Sequence, residues 1–138
     1  MKPIDQTIVS SLDGAVHGNC FPSCIASLLE VPLESVPEFQ KMDGAWHDPF
    51  WEFLNQHGCE FQGTFSFERD GRIRTWDELL ALSPGIDGFF ICNGTSHRAH
   101  VTRGHAVIYK DGVLAHDPHS SRMGLLELKH AMMIERRP

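Results

Sequence analysis

The chain has 138 residues, 41% of them apolar, with nine histidines, four cysteines and a formal charge of −6. This size and apolar content suit one globular domain, residues 1–138, with its own core. The acid excess, with Lys and Arg scattered apart from Arg136-Arg137, argues against a nucleic-acid backbone as partner, and no apolar run approaches the roughly 20 residues of a membrane span.

Met1-Lys2-Pro3-Ile4-Asp5 lacks the basic-then-apolar build of a signal peptide, so a cytoplasmic location with free thiols is the expectation. The first predicted element is a helix over Phe21 to Leu29, where Cys24, Ile25, Leu28 and Leu29 recur at helical spacing and Pro22 is tolerated in the first turn. Pro32 stops it, and Leu33 to Val36 can form one more turn. A second helix is expected over Ala45 to His57, with Trp46, Phe50, Phe53 and Leu54 on its apolar side and Gly58 as its C-terminal cap. Thr75-Trp76-Asp77-Glu78 announces a third through a reciprocal capping box, followed by Leu79, Leu80 and Leu82.

From Ile86 onward the pattern is β-type: Gly88 to Asn93, His105 to Tyr109, Val113 to His116 and Leu125 to Ile134. Lys110-Asp111-Gly112 reads as a tight hairpin turn, which places His105 and Asp117 on neighbouring antiparallel strands. Thr64 to Phe67 alternates like a further strand and Asp70-Gly71 like a turn. Helices early and strands late give an α+β fold. Cys59 and Cys92 read as small buried residues.

Gly18-Asn19-Cys20 stands immediately before the first helix. A cysteine there feels unpaired N–H groups and the positive end of the dipole, which favour its thiolate. Gly18 would let the backbone approach a substrate closely, and the Cys20 N–H would be one donor to an oxyanion. A buried Cys20/Cys24 pair at i, i+4 explains that segment equally well by itself. His105 shifts the balance: it opens an otherwise apolar strand, while Asp117 ends the next one just before Pro118. A thiol, an imidazole and a carboxylate are the nucleophile, proton carrier and orienting group of acyl transfer.

Gln6, Asn19-Cys20, Gly104-His105-Ala106-Val107 and Asp117-Pro118, in this order, resemble the papain-like cysteine peptidases, and among them the small peptidases that clip double-glycine leaders. The chain also resembles small bacterial and phage papain-like proteins with a Gly-Asn-Cys start and a His-Asp-Pro-His finish. The resemblance implies an N-terminal helix carrying Cys20, packed on a C-terminal antiparallel sheet carrying His105 and Asp117. It implies further that Cys20 rather than Cys24 is the nucleophile, and that Gln6 supplies a side-chain N–H to the oxyanion hole. The activity implied is hydrolysis of an amide, peptide or isopeptide bond, with deamidation or acyl transfer as variants. A peptide, a protein tail or a small amide is the implied substrate, without cofactor or metal. Gln6 lies 14 residues (20 − 6) before Cys20, a wider gap than in typical relatives, so Ser10 to His17 must loop out for Gln6 to return.

Two other readings compete. His97, His100, His105, His116 and His119 invite a metal site, yet they carry no metal-binding motif spacing. The alternative is that His97, His100 and His119 border a cleft. A catalytically silent papain-like binding module is the third reading. Trp46 and Trp51 read as core aromatics of the second helix.

Overall fold

A computed structural model describes all residues, 1–138. Three α-helices, α1 (Cys20–Leu29), α2 (His47–Gln56) and α3 (Trp76–Leu82), accompany seven strands. Strands β1 (Cys59–Ser66), β4 (Phe89–Ser96), β5 (His105–Lys110), β6 (Val113–His116) and β7 (Leu125–Arg136) form one antiparallel sheet in the order β1-β7-β4-β5-β6. A small hairpin, β2 (Glu68–Arg69) with β3 (Arg72–Ile73), turns at Asp70-Gly71. The class is α+β. No helix is long and apolar enough to cross a membrane.

The sheet is covered on both faces, which explains why its central strands read as continuous apolar runs. On one face Ile91, Ala106, Ile108, Met132 and Ile134 pack with Ile25 and Leu28 of α1 and with Phe50, Phe53 and Leu54 of α2. On the other, Phe90, Cys92, Val107 and Ala131 pack with Leu79 of α3 and with Phe65 and Phe67. Phe50 is fully buried, with the rings of Phe21, Phe39, Trp46 and Phe61 at centroid distances of 5.4 to 5.7 Å. Truncating such a ring to alanine costs about 3–5 kcal/mol.

α1 lies against β5 and β4, and this packing brings the start of α1 to the end of the sheet where β5 begins. Its buried residues run from Pro22 through Leu28, including Cys24, so the helix is clamped over nearly its whole length. The β5–β6 connection is the expected two-residue turn: Lys110 pairs with Val113, and Asp111 and Gly112 have φ of 50° and 80°.

Several expectations need correction. The Thr75 hydroxyl accepts from Glu78 N–H at 3.3 Å, but the Glu78 carboxylate binds Arg72 at 2.8 Å and faces Arg74 at 3.5 Å instead of closing the capping box. Leu80 and Leu82 are exposed; only Leu79 of that helix enters the core. Trp51 is 53% exposed on the outer side of α2, and Trp46, just before that helix, is half-buried against Phe21.

Candidate active site

Cys20 is the first residue of α1 and is half-buried, whereas Cys24, one turn on, is fully buried. Burial pushes the Cys24 thiol well above its ordinary range, with the negative charge of Cys20 adding to the effect, so Cys24 stays protonated in the core. Burial also raises the thiols of Cys59 and Cys92. Neither the Cys20 nor the Phe21 N–H has an acceptor within the chain, and Pro22 has no N–H; Ser23 N–H is the first to be satisfied, by Asn19 C=O at 3.0 Å. The helix therefore presents two free donors beside the Cys20 side chain.

His105 and Asp117 are both buried and meet directly: His105 Nε2–H donates to Asp117 Oδ1 at 2.7 Å. Asp117 also accepts from His119 N–H at Oδ1 (2.9 Å) and from Gly124 N–H at Oδ2 (2.8 Å). Burial opposes the charge of Asp117, but these hydrogen bonds outweigh it and hold the carboxyl below its usual range. An ionised Asp117 requires the ring proton on Nε2, which leaves Nδ1 as the nitrogen with an open lone pair. Burial likewise opposes protonation of His105, but the bonds and charges of Asp117 and Cys20 prevail and raise the imidazole to about 9. The carboxylate fixes the ring on one side, and its charge with that of Cys20 favours the protonated form.

Gln6 returns to this place as well. The segment from Ser10 to His17 loops out, held by Ser11 N–H to Val16 C=O (3.0 Å) and by the Ser11 hydroxyl to Asp13 (2.6 Å). Asn19 closes the loop at its base. Its side-chain oxygen accepts from Thr7 N–H (3.0 Å) and Ile8 N–H (2.9 Å), and its Nδ2 donates to the Thr7 hydroxyl (3.0 Å). Gln6 N–H donates to Pro118 C=O at 3.0 Å, tying the segment to the residue after Asp117. Gln6 Nε2 gives one proton to Ile8 C=O at 2.8 Å and has no second acceptor in the chain.

Gly18 lines the cleft and also makes room within the chain. A Cβ there would lie 2.9 Å from Ile8 O, 3.0 Å from Gln6 Nε2 and 3.1 Å from Ser10 N. The missing side chain makes room for the protein's own Gln6 segment.

These residues open onto a cleft of about 510 Å³, walled by the 6–21 segment, by residues 39–46 and by the β4–β5 loop with Arg98, His100 and Arg103. His100 lines the cleft, as expected for a bordering residue. His97 is exposed, and His119 sits edge-on to His105 with centroids 6.4 Å apart. Burial lowers the His119 imidazole, and the Arg98 charge lowers it further, so the ring beside His105 is neutral near pH 7. His116 points away from Asp117, toward Ile4 C=O (3.1 Å) and Asp5 (3.5 Å). No three His, Cys, Asp or Glu side chains converge to hold a metal ion.

Sequence reasoning passed over four residues. Asn19 was read only as part of the approach to Cys20, although a polar residue there, buried to 5% exposure, carries three bonds. Gly124 orients Asp117 through its N–H; with φ of 72°, it stands where a Cβ would press on Leu114 at 3.0 Å. Arg122 bonds the carbonyl oxygens of Asp117 and His119 and makes a two-pronged pair with Asp5 at 2.6 and 2.7 Å, joining the Gln6 segment to the Asp117 loop. Gln40 also lines the cleft, and neither end of its side-chain amide has a partner despite being buried. Each unsatisfied buried group of this kind costs roughly 1–3 kcal/mol.

No protein-family model matches the chain, and no curated protein or solved structure matches it.

Proposed function

We propose that the protein is a papain-like cysteine hydrolase that cleaves an amide, peptide or isopeptide bond through Cys20, His105 and Asp117. One observation carries this reading. A half-buried thiol at a helix start and an imidazole bonded to a buried carboxylate open on the same cleft, and the three groups come from α1, β5 and the residue after β6. A cleft on one side of the imidazole and an orienting carboxylate on the other is the arrangement that suits a proton carrier.

In the proposed cycle, His105 Nδ1 takes the Cys20 proton and the thiolate attacks the substrate carbonyl carbon. Charge passes to the carbonyl oxygen, which the Cys20 N–H and the spare Gln6 Nε2–H stabilise. The C–N bond then breaks, the leaving amine takes the proton from His105, and a thioester remains on Cys20. Water gives a proton to His105, attacks the thioester and releases the acid, and the proton returns to sulfur. Asp117 holds the ring and its charge throughout, and the cycle draws on no cofactor. The cleft volume lies in the range that suits a small amide or a few residues of a flexible tail.

Reaction with p-nitrophenyl acetate tests this reading. A nitrophenolate burst with an acetyl adduct mapped to Cys20, absent in Cys20→Ala and greatly slowed in His105→Ala, supports it. Absence of a Cys20 adduct overturns it.

A further inference from the structure

Three buried side-chain nitrogen and oxygen atoms of this protein lack a hydrogen-bond partner: Gln6 Oε1, Gln40 Nε2 and Gln40 Oε1. Both glutamines line the same cleft, the one that exposes Cys20. Native structures leave few such groups, and each calls for a reason. Gln6 has a partial one, since its Nε2 is engaged with Ile8. Gln40 has none.

Gln40 sits in the short 3-10 turn Phe39–Lys41. The turn is held by Phe39 N–H to Pro37 C=O, Lys41 N–H to Glu38 C=O and Met42 N–H to Phe39 C=O. It is also anchored beside the nucleophile: the Phe39 ring lies 6.1 Å from that of Phe21, the residue after Cys20, and 5.7 Å from Phe50. The turn thus holds in the wall of the cleft an unpaired donor and acceptor that are covered from solvent, and a rotation of the side chain into the cleft brings them to a substrate.

We propose that Gln40 is a substrate-recognition residue whose carboxamide pairs with the N–H and C=O of one residue of an extended substrate chain flanking the scissile bond. This rests on the hydrolase reading of Cys20. In an extended chain the N–H and C=O of a residue point to the same side, as they do when antiparallel strands exchange two bonds. Gln40 Nε2 donates to that carbonyl and Gln40 Oε1 accepts from that N–H. A carboxamide is suited to both roles at once, whereas a carboxylate or an ammonium supplies only one.

The test uses two thiol reagents on the intact protein, with the rate of Cys20 modification read by mass spectrometry. N-acetyl-alanyl-alanine chloromethyl ketone carries peptide groups; methyl methanethiosulfonate carries none. Gln40→Met, which preserves length and removes both polar atoms, is expected to slow the peptidyl reagent by about tenfold, the factor for roughly one hydrogen-bonded pair, while leaving the other rate unchanged. Gln40→Glu, which keeps acceptors and loses the donor, is expected to fall between. Equal slowing of both reagents, no slowing of either, or unfolding of Gln40→Met would overturn the proposal, because each assigns Gln40 a structural role or none. Failure of wild-type Cys20 to react with either reagent would instead contradict the hydrolase reading, and the Gln40 role would fall with it.

Discussion

Asp117 reaches His105 because the β5–β6 ladder slips by one residue. Lys110 pairs with Val113 and Tyr109 with Leu114, but Ile108 pairs with His116, leaving Ala115 as the extra residue of a bulge. Without the slip, Asp117 would fall opposite Ala106 and point to the face that His105 avoids. With it, Asp117 continues opposite Val107, on the same alternation as His105, and the 2.7 Å bond follows.

The charge on Asp117 is what Asp117→Asn removes, because the amide oxygen still accepts from His105 Nε2. The His105 imidazole, raised to about 9 in the wild type, is expected to titrate at lower pH in this variant. NMR titration of the ring nitrogens checks this, and the alkaline limb of any hydrolytic rate should move down with it. Asp117→Ala also strands the N–H groups of His119 and Gly124, so its hydrolytic rate should fall by about 10²-fold or more.

Stability should depend on pH through the same pair. The folded-state value of His105 is raised above the 6.5 of an unperturbed histidine, so its contribution is complete below 6.5 and is lost as pH rises through about 9. Asp117 is lowered from 3.8, so its contribution is present above that value and disappears as pH falls below it. The pair is therefore most stabilising between about pH 4 and 6.5 and loses a few kcal/mol by pH 9.5. Urea denaturation at pH 5.5, 7.5 and 9.5 measures the slope, which His105→Ala should flatten.

Asn19 is expected to stabilise the fold by holding the Thr7–Ile8 segment that follows Gln6. Asn19→Ala leaves two backbone N–H groups and the Thr7 hydroxyl without their partner and should destabilise the fold by about 1–3 kcal/mol. Asn19→Asp keeps both acceptor bonds and should recover most of that loss in a denaturation experiment.

Gly18→Ala should separate nucleophile activation from oxyanion binding. The added methyl group meets Gln6 Nε2 and Ile8 O, whereas the His105–Asp117 bond lies outside its reach. Cys20 alkylation is expected to persist while hydrolysis falls toward the level of Gln6→Ala. Equal loss of both activities would place Gly18 in the nucleophile's support instead.

The elements that carry Cys20, His105 and Asp117 were legible because they depend on local signals. An N-terminal turn ahead of an apolar helix, a histidine opening an apolar strand, an Asp-Gly hairpin and an Asp-Pro ending each show in a few adjacent residues. Features set by long-range pairing did not show. β1 changes its buried face at a bulge between Phe61 and Gly63, so Phe61 packs on one core and Phe65 on the other although both are odd-numbered. That shift hides the alternation by which a strand is usually recognised. The bulge at Ala115 is invisible for the same reason, and the bonds from Asn19 to Thr7 and Ile8 depend on a loop closure that no local pattern reveals. Leu80 and Leu82 show the converse, since a run of leucines resembles a core face whether or not another element covers it, and both are exposed.

The most direct measurement is iodoacetamide alkylation of the native protein across pH, mapped to Cys20, Cys24, Cys59 and Cys92 and repeated in His105→Ala. An activated pair predicts rapid labelling confined to Cys20 at pH 6 to 7, with the variant losing most of that rate at the same pH. Slow labelling of Cys20, or labelling that His105→Ala leaves unchanged, would contradict the assignment of Cys20 and His105 as nucleophile and base.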